Sequence, residues 1–166
     1  LILYLIPPAL LFIPLYRVLA ELGATNNLMS LFLSYPTFTV PFCTWLLIGF
    51  FKALPDELEE AALIDGAGRV TAFVRVLLPL AAPGLVASAI FAFTLSWNEF
   101  LYALVFIQDE TATTVPVGLN LLIYGDVFHW GQLMAASVIT TVPVVALYVF
   151  IHRWMVEGLV AGSVKG

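Results

Sequence analysis

The chain has 166 residues, 62% of them hydrophobic and only 10% charged, with a formal net charge of −5. Soluble domains average about 45–50% apolar and about 25% charged residues, so this composition excludes an ordinary water-soluble globule and makes a bilayer the main solvent. The net charge says little about partners, because membrane topology follows the position of Lys and Arg near span ends.

A transmembrane helix needs about 20 mostly apolar residues to cross about 30 Å of hydrocarbon. Four stretches qualify. The first runs from Leu1 to about Leu15 or Leu19, with Pro7, Pro8 and Pro14 inside it. It has no basic n-region and no small-residue cleavage site, so it is not a signal peptide, and the chain is expected to begin inside a longer protein. Arg17 and Glu21 lie four apart and predict a solvated pair worth roughly a few tenths of a kcal/mol. Asn27, at the end of the next loop, is placed to cap the second stretch, Leu28 to Phe51, which carries Pro36 and Pro41. Cys43, the single cysteine, excludes an intramolecular disulfide and a multi-cysteine metal site, and reads as a small apolar core residue.

The segment ALPDELEEAALIDGAG comes next. Pro55 suits the first position of a helix, and Asp56, Glu57, Glu59 and Glu60 put negative charge at the positive end of its dipole, which predicts a helix of about three turns. Leu58, Ala61, Ala62 and Asp65 share one face by their spacing. Gly66 stops the helix and Gly68 loosens the backbone beyond it. The small residues Ala61, Ala62, Gly66 and Ala67 let another backbone or groove wall approach closely, so the helix suits insertion into a cleft; the alternative is a solvated acidic loop helix. A second short amphipathic helix, VTAFVRVLLPLAAP, succeeds it, with Phe73 and Val76 or Leu77 on one face and Arg69 and Arg75 toward headgroups. This arrangement ties the acidic helix to a membrane helix, so a push on one should move the other.

The third stretch, about Val76 to Ile107, would measure on the order of 45 Å, so it must tilt, break or protrude. Pro79 and Pro83 mark its entry. Near its outer boundary lie Trp97, Asn98 and Glu99. An aromatic face and an amide are what a sugar would contact, which makes Trp97 and Asn98 candidates for a solute path, whereas solvation or helix capping is the simpler role for Glu99. The outer segment Gln108 to Gly131 contains VGLNLLIYG, apolar enough to lie against an interface or another subunit but too short to span. The fourth stretch, Leu133 to Ile151, contains Pro143 and is flanked by Trp130 and Trp154. Interior prolines free backbone carbonyls that neighbouring helices or cavity water must satisfy, so the spans are expected to pack together.

Of the six basic residues, Lys52, Arg69, Arg75, Arg153 and Lys165 fall on one side of these spans and Arg17 on the other. That asymmetry puts the acidic helix and the C-terminus in the cytoplasm. The sequence has no GxxxxGK[ST] phosphate loop, so any ATP-derived energy must come from a partner, and no HExxH or GxSxG motif. His129 and His152 lie in different segments without a second ligand at metal spacing. No catalytic and no metal-binding residues are expected, and no mid-span carboxylates or histidines favour a proton-coupled carrier.

At the acidic helix the sequence resembles the permease subunits of binding-protein-dependent ABC importers. That family's cytoplasmic signature is Glu-Ala-Ala, three residues, Gly, nine residues, Ile, one residue, Leu-Pro. Here it reads Glu60-Ala61-Ala62, Gly66, Val76 and Leu78-Pro79, with Val for Ile. IDGAG, LPLAAPGL, WNEF and the tail GLVAGSVKG, which matches at Gly158, Leu159, Ala161, Gly162, Val164, Lys165 and Gly166, narrow the resemblance to the maltose-transporter type of carbohydrate uptake. The resemblance implies an all-α polytopic type I importer permease in the bacterial cytoplasmic (inner) membrane: one transmembrane domain over residues 1–166, with four of a usual six helices. It further implies a coupling-helix loop over 55–78, an outer loop over 108–131 and a cytoplasmic tail over 152–166. Glu60, Ala61, Ala62, Asp65, Gly66 and Ala67 would meet a cleft of a cytoplasmic ATPase, and Gly158, Gly162 and Lys165 would lie along the ATPase dimer. The implied partners are a second permease subunit, that ATPase dimer carrying ATP and Mg, an extracytoplasmic sugar-binding protein, lipid and the sugar itself. The chain would bind no cofactor of its own. An importer for a non-sugar solute and a non-ABC transporter subunit are the alternatives.

Overall fold

The computed structural model describes residues 7–124 and 127–163. These form α1 (Pro8–Glu21), α2 (Leu28–Ser34), α3 (Pro36–Lys52), α4 (Glu57–Ile64), α5 (Arg69–Ala72), a π-helical turn (Phe73–Leu77), α6 (Leu78–Leu80), α7 (Ala82–Trp97), α8 (Leu101–Phe106), a 3-10 turn (Glu110–Ala112), α9 (Val115–Asn120) and α10 (Trp130–Ser163). The strands among the described residues form a two-residue antiparallel pair, β1 (Ile123–Tyr124) on β2 (Val127–Phe128).

Local chemistry explains the boundaries. Asn27 Oδ1 accepts the Met29 N–H at 2.8 Å and starts α2, as its position predicts. Arg17 Nε lies 3.8 Å from Glu21 Oε1 with both side chains exposed, the expected solvated pair. Pro36 separates α2 from α3. Around it the Thr37 and Thr39 hydroxyls donate to the Ser34 and Tyr35 carbonyls at 2.6 and 2.9 Å, so exposed backbone is covered by side chains where the ladder is interrupted.

Two continuous helical stretches among the described residues are long and apolar enough to cross a bilayer, Leu28–Lys52 and Trp130–Ile151. The expected third span is broken. Arg69–Leu80 and Ala82–Trp97 meet at 68°, and only together are they long and apolar enough for a span, whether broken or re-entrant. Pro79 and Pro83 account for the bend: each lacks an N–H, and each ring crowds the carbonyl four residues back. The Leu78 N–H reaches Phe73 O instead, one residue further than an α-helix allows, which is the π-turn that admits Pro79. The same stretch breaks again between Trp97 and Leu101, so it resolves into several pieces rather than one tilted rod. The described part of the first stretch, α1, is 14 residues long.

The chain divides into two compact units, one built from the described residues up to Phe42 with Ala92–Ala146, the other from Cys43–Phe91 with the chain after Leu147. In the first, Leu19, Leu31, Tyr102, Ala103, Phe106, Ile107 and Val117 form the core, centred on α8. Tyr102 meets Phe38 edge-on at 5.8 Å and Phe106 at 5.2 Å. The second unit packs through small residues: Ala62, Ala72, Ala81, Gly84, Ala87 and Ser88 are its buried positions. The face of Gly84 lies directly against the Phe50 ring, and Phe51 stacks on Phe73 at 5.8 Å. Cys43 is half-buried with Sγ 3.5 Å from the Ser88 carbonyl, in keeping with a small core residue. Along α10, by contrast, Val138, Ile139, Val145 and Val149 are more than half exposed. An apolar surface of that extent is suited to lipid or to another apolar chain.

Candidate functional site

The acidic helix forms where the sequence places it but is shorter than expected, running over Glu57–Ile64, a little over two turns. Pro55 and Asp56 open it as a turn, with Leu58 N–H to Pro55 O at 3.2 Å and Glu59 N–H to Asp56 O at 3.1 Å. Its end is closed by two crossed bonds: Gly66 N–H to Leu63 O at 3.1 Å and Ala67 N–H to Ala62 O at 3.0 Å. This is the glycine-dependent C-cap, and Gly66 supplies the left-handed backbone it needs, at φ +84°. The chain then turns through Gly68, whose carbonyl accepts the Ala72 N–H at 2.9 Å, and enters α5.

The two sides of the helix differ in exposure. Ala62, expected to meet a partner, is 9% exposed within the chain itself, and Ala72 of α5 is 1% exposed. Leu58 is half-buried on the same side. The open side carries Glu57, Glu60, Ala61 and Ile64, spaced i, i+3, i+4 and i+7. Ile64 is 85% exposed, and Val70 just beyond the turn is 77% exposed. Glu60, Ala61, Asp65 and Gly66 remain on accessible surface, with Ala67 half-buried. Sequence reasoning passed over Ile64; its signal was a large β-branched residue immediately before Asp-Gly at the end of a helix whose remaining residues are acids, alanines and the leucines Leu58 and Leu63.

The whole segment from Arg69 leads through the π-turn into α6 and the break at Ala81, which is 2% exposed. Arg69 and Arg75 are both exposed, and Phe73 is held by Phe51. A shallow groove of about 500 Å³ lies beside this region, lined by Thr44, Leu47, Ile48, Phe51, Lys52 and Asp56.

The candidate solute-path residues lie in the other unit. The Trp97 indole N–H donates to the Thr140 carbonyl at 3.2 Å and its ring stacks on Phe93 at 5.4 Å, so it is half-buried and pinned. Asn98 is exposed, with its amide donating to Thr94 O at 2.8 Å. Glu99 is a helix cap: its carboxylate accepts the Tyr102 and Ala103 N–H groups at 2.8 and 3.1 Å at the start of α8. α10 continues as helix through Gly158 and Gly162 to Ser163, and Lys165 lies outside the described residues. Among the described residues no three His, Cys, Asp or Glu side chains gather as a metal site.

The family described as binding-protein-dependent transport system inner membrane component matches residues 1–160. The trehalose/maltose transport system permease protein MalG of Thermococcus litoralis is 41% identical over 154 residues, covering 92% of this chain and 55% of that protein. The diacetylchitobiose uptake system permease protein DasC of Streptomyces coelicolor is 40% identical, covering 96% of this chain and 58% of that protein. The trehalose transport system permease protein SugB of Mycobacterium tuberculosis is 35% identical over all of this chain and 61% of its own length. The chain thus spans somewhat more than half the length of these relatives.

Proposed function

Because the chain belongs to the family of binding-protein-dependent transport system inner membrane components, we propose that it is the permease part of an ATP-driven sugar importer. In this reading it forms part of the solute pathway and takes its energy from a cytoplasmic ATPase dimer through α4. The sugar class is supported by the relatives, whose names run from trehalose and maltose to diacetylchitobiose and arabinooligosaccharides. A second permease subunit would complete the pathway, and an extracytoplasmic binding protein would deliver the sugar to outer segments such as residues 108–131. ATP and Mg would be held by the ATPase, with the C-terminus on the same cytoplasmic side. The residues of the tail, Gly158, Gly162 and Lys165, would extend the ATPase contact.

The observation that carries the reading is the exposed Ile64 on a charged, rigidly capped helix. Water is a poor solvent for that side chain; a cleft with an apolar floor and a basic rim would bury it and pair Glu57, Glu60 and Asp65. Burying such a side chain is worth about 1.5–3 kcal/mol, or roughly tenfold to a hundredfold in affinity. The test introduces cysteine at Ile64 or at Ala62 in protein lacking Cys43 and crosslinks the assembled complex in membranes. Ile64→Cys should capture a soluble subunit carrying a phosphate-binding loop, and Ala62→Cys should capture it far less. Capture through neither position, with the complex otherwise intact, would remove α4 as the coupling element.

A further inference from the structure

Glu99 makes one bond that helix capping does not require. Besides the Tyr102 and Ala103 N–H groups, its carboxylate accepts the Tyr35 hydroxyl at 3.3 Å, reaching 64 residues back along the chain. Tyr35 stands at the junction of α2 and α3, just before Pro36 removes a backbone donor. Glu99 stands at the junction of α7 and α8. One half-buried carboxylate therefore joins two helix breaks.

The far end of α8 is fastened to the same part of the chain. The Asn26 N–H donates to the Phe106 carbonyl at 2.8 Å, and the Gln108 N–H donates to Asn26 Oδ1 at 2.8 Å. Asn26 sits just before the Asn27 cap of α2 and holds φ +59°, a conformation asparagine tolerates better than most residues. Between these fastenings Tyr102, Ala103 and Phe106 are each 1% exposed. The six-residue α8 is too short to stand as an isolated helix, so its position is set by what holds its ends and by core packing.

We propose that Glu99 is a positioning residue for solute passage: by accepting from α8 and from Tyr35 together, its carboxylate locks the α2–α3 junction and the α7–α8 junction into one body. Loss of the Tyr35 bond lets the two junctions move separately while the α8 cap persists. The functional consequence rests on the importer reading; the lock itself does not.

The test compares wild type, Tyr35→Phe, Glu99→Gln and the double variant in the assembled complex, reconstituted in lipid vesicles. Amide exchange reports the lock directly. The Phe38 and Thr39 N–H groups both donate to the Tyr35 carbonyl, at 3.2 and 3.0 Å, and should exchange about tenfold faster in Tyr35→Phe, the scale of one hydrogen bond to a charged group. Protection at Tyr102 and Ala103 should survive in Tyr35→Phe and fall in Glu99→Gln. Adding Tyr35→Phe to Glu99→Gln should change Phe38 and Thr39 less than Tyr35→Phe does in wild type, because the glutamine amide offers the hydroxyl only a weaker, uncharged partner. Unchanged exchange at those two amides, or fully additive effects in the double variant, would overturn the lock. With trehalose as the probe, Tyr35→Phe should raise the ATP hydrolysed per sugar taken up; an unchanged ratio with a broken lock would overturn the role in passage. A wild-type complex that takes up neither trehalose, maltose nor diacetylchitobiose would count against the importer reading, and the exchange data would still decide the lock.

Discussion

Gly66→Ala against Gly68→Ala separates backbone conformation from space at the end of the acidic helix. A Cβ at either position meets nothing within 4 Å, so neither substitution makes a clash. The difference lies in φ, +84° at Gly66 and −70° at Gly68. An L-residue held in the left-handed region costs roughly 1–2 kcal/mol. At Gly68 the backbone is already compatible with alanine, and reduced freedom of the unfolded chain should stabilise by about 0.4–1 kcal/mol. The cap consists of two hydrogen bonds, donated by the N–H groups of residues 66 and 67, so opening it exposes both to solvent. A cost of about 1–2 kcal/mol corresponds to a factor of roughly 5–30 in the open population. Hydrogen exchange on the detergent-solubilised protein should therefore show those two amides exchanging about 5–30 times faster in Gly66→Ala and no faster in Gly68→Ala. Equal exchange in the two variants would refute the assignment of the helix stop to left-handed backbone.

At Gly84 the constraint is space: an added Cβ would lie 2.7 and 2.8 Å from Phe50 Cδ1 and Cδ2. Gly84→Ala should lower stability by about 1–3 kcal/mol, read by thermal unfolding, and Phe50→Leu should make the same substitution better tolerated. Asn26→Ala loses both the acceptor for the Gln108 N–H and a residue suited to positive φ, so it should cost about 1–3 kcal/mol. Asn26→Gly, which keeps the backbone freedom, should cost less in the same unfolding assay. Between α8 and α9, the Thr111 hydroxyl and N–H, at 2.7 and 2.8 Å, hold the Asp109 carboxyl below the ordinary carboxylate range. Because the folded value is the lower one, the turn's stabilisation is complete above the unfolded carboxylate pKa and disappears as pH falls through the folded value. An NMR titration of the Thr111 amide should track that loss, and Asp109→Asn should abolish the dependence.

Residues whose role is set by neighbours in sequence were legible. Asn27 before an apolar run, Gly66 after an acidic turn, and Arg17 four from Glu21 each acted as local chemistry requires. The Glu60-Ala61-Ala62 spacing to Gly66 and Leu78-Pro79 pointed to the family that matches nearly the whole chain. Roles set by packing were not legible. A small residue such as Ala62, 9% exposed, admits a close neighbour, but periodicity cannot say whose backbone that neighbour is. The length of the third stretch signalled that something must give, while the place depended on two prolines and on a π-turn that has no signature of its own. The Tyr35–Glu99 bond joins residues too distant in sequence for any spacing rule to connect.

The bend at Ala81 also fixes how displacement is redirected. With Arg69–Leu80 at 68° to Ala82–Trp97, a shift along the first axis projects onto the second by the cosine of 68°, about three-eighths. Most of such a shift therefore arrives crosswise. The small neighbours at this corner, with Gly84 seated on the Phe50 ring, leave little side-chain bulk between the helix and what it packs on. A helix driven in this way sweeps like a crank arm and does not rise and fall like a piston.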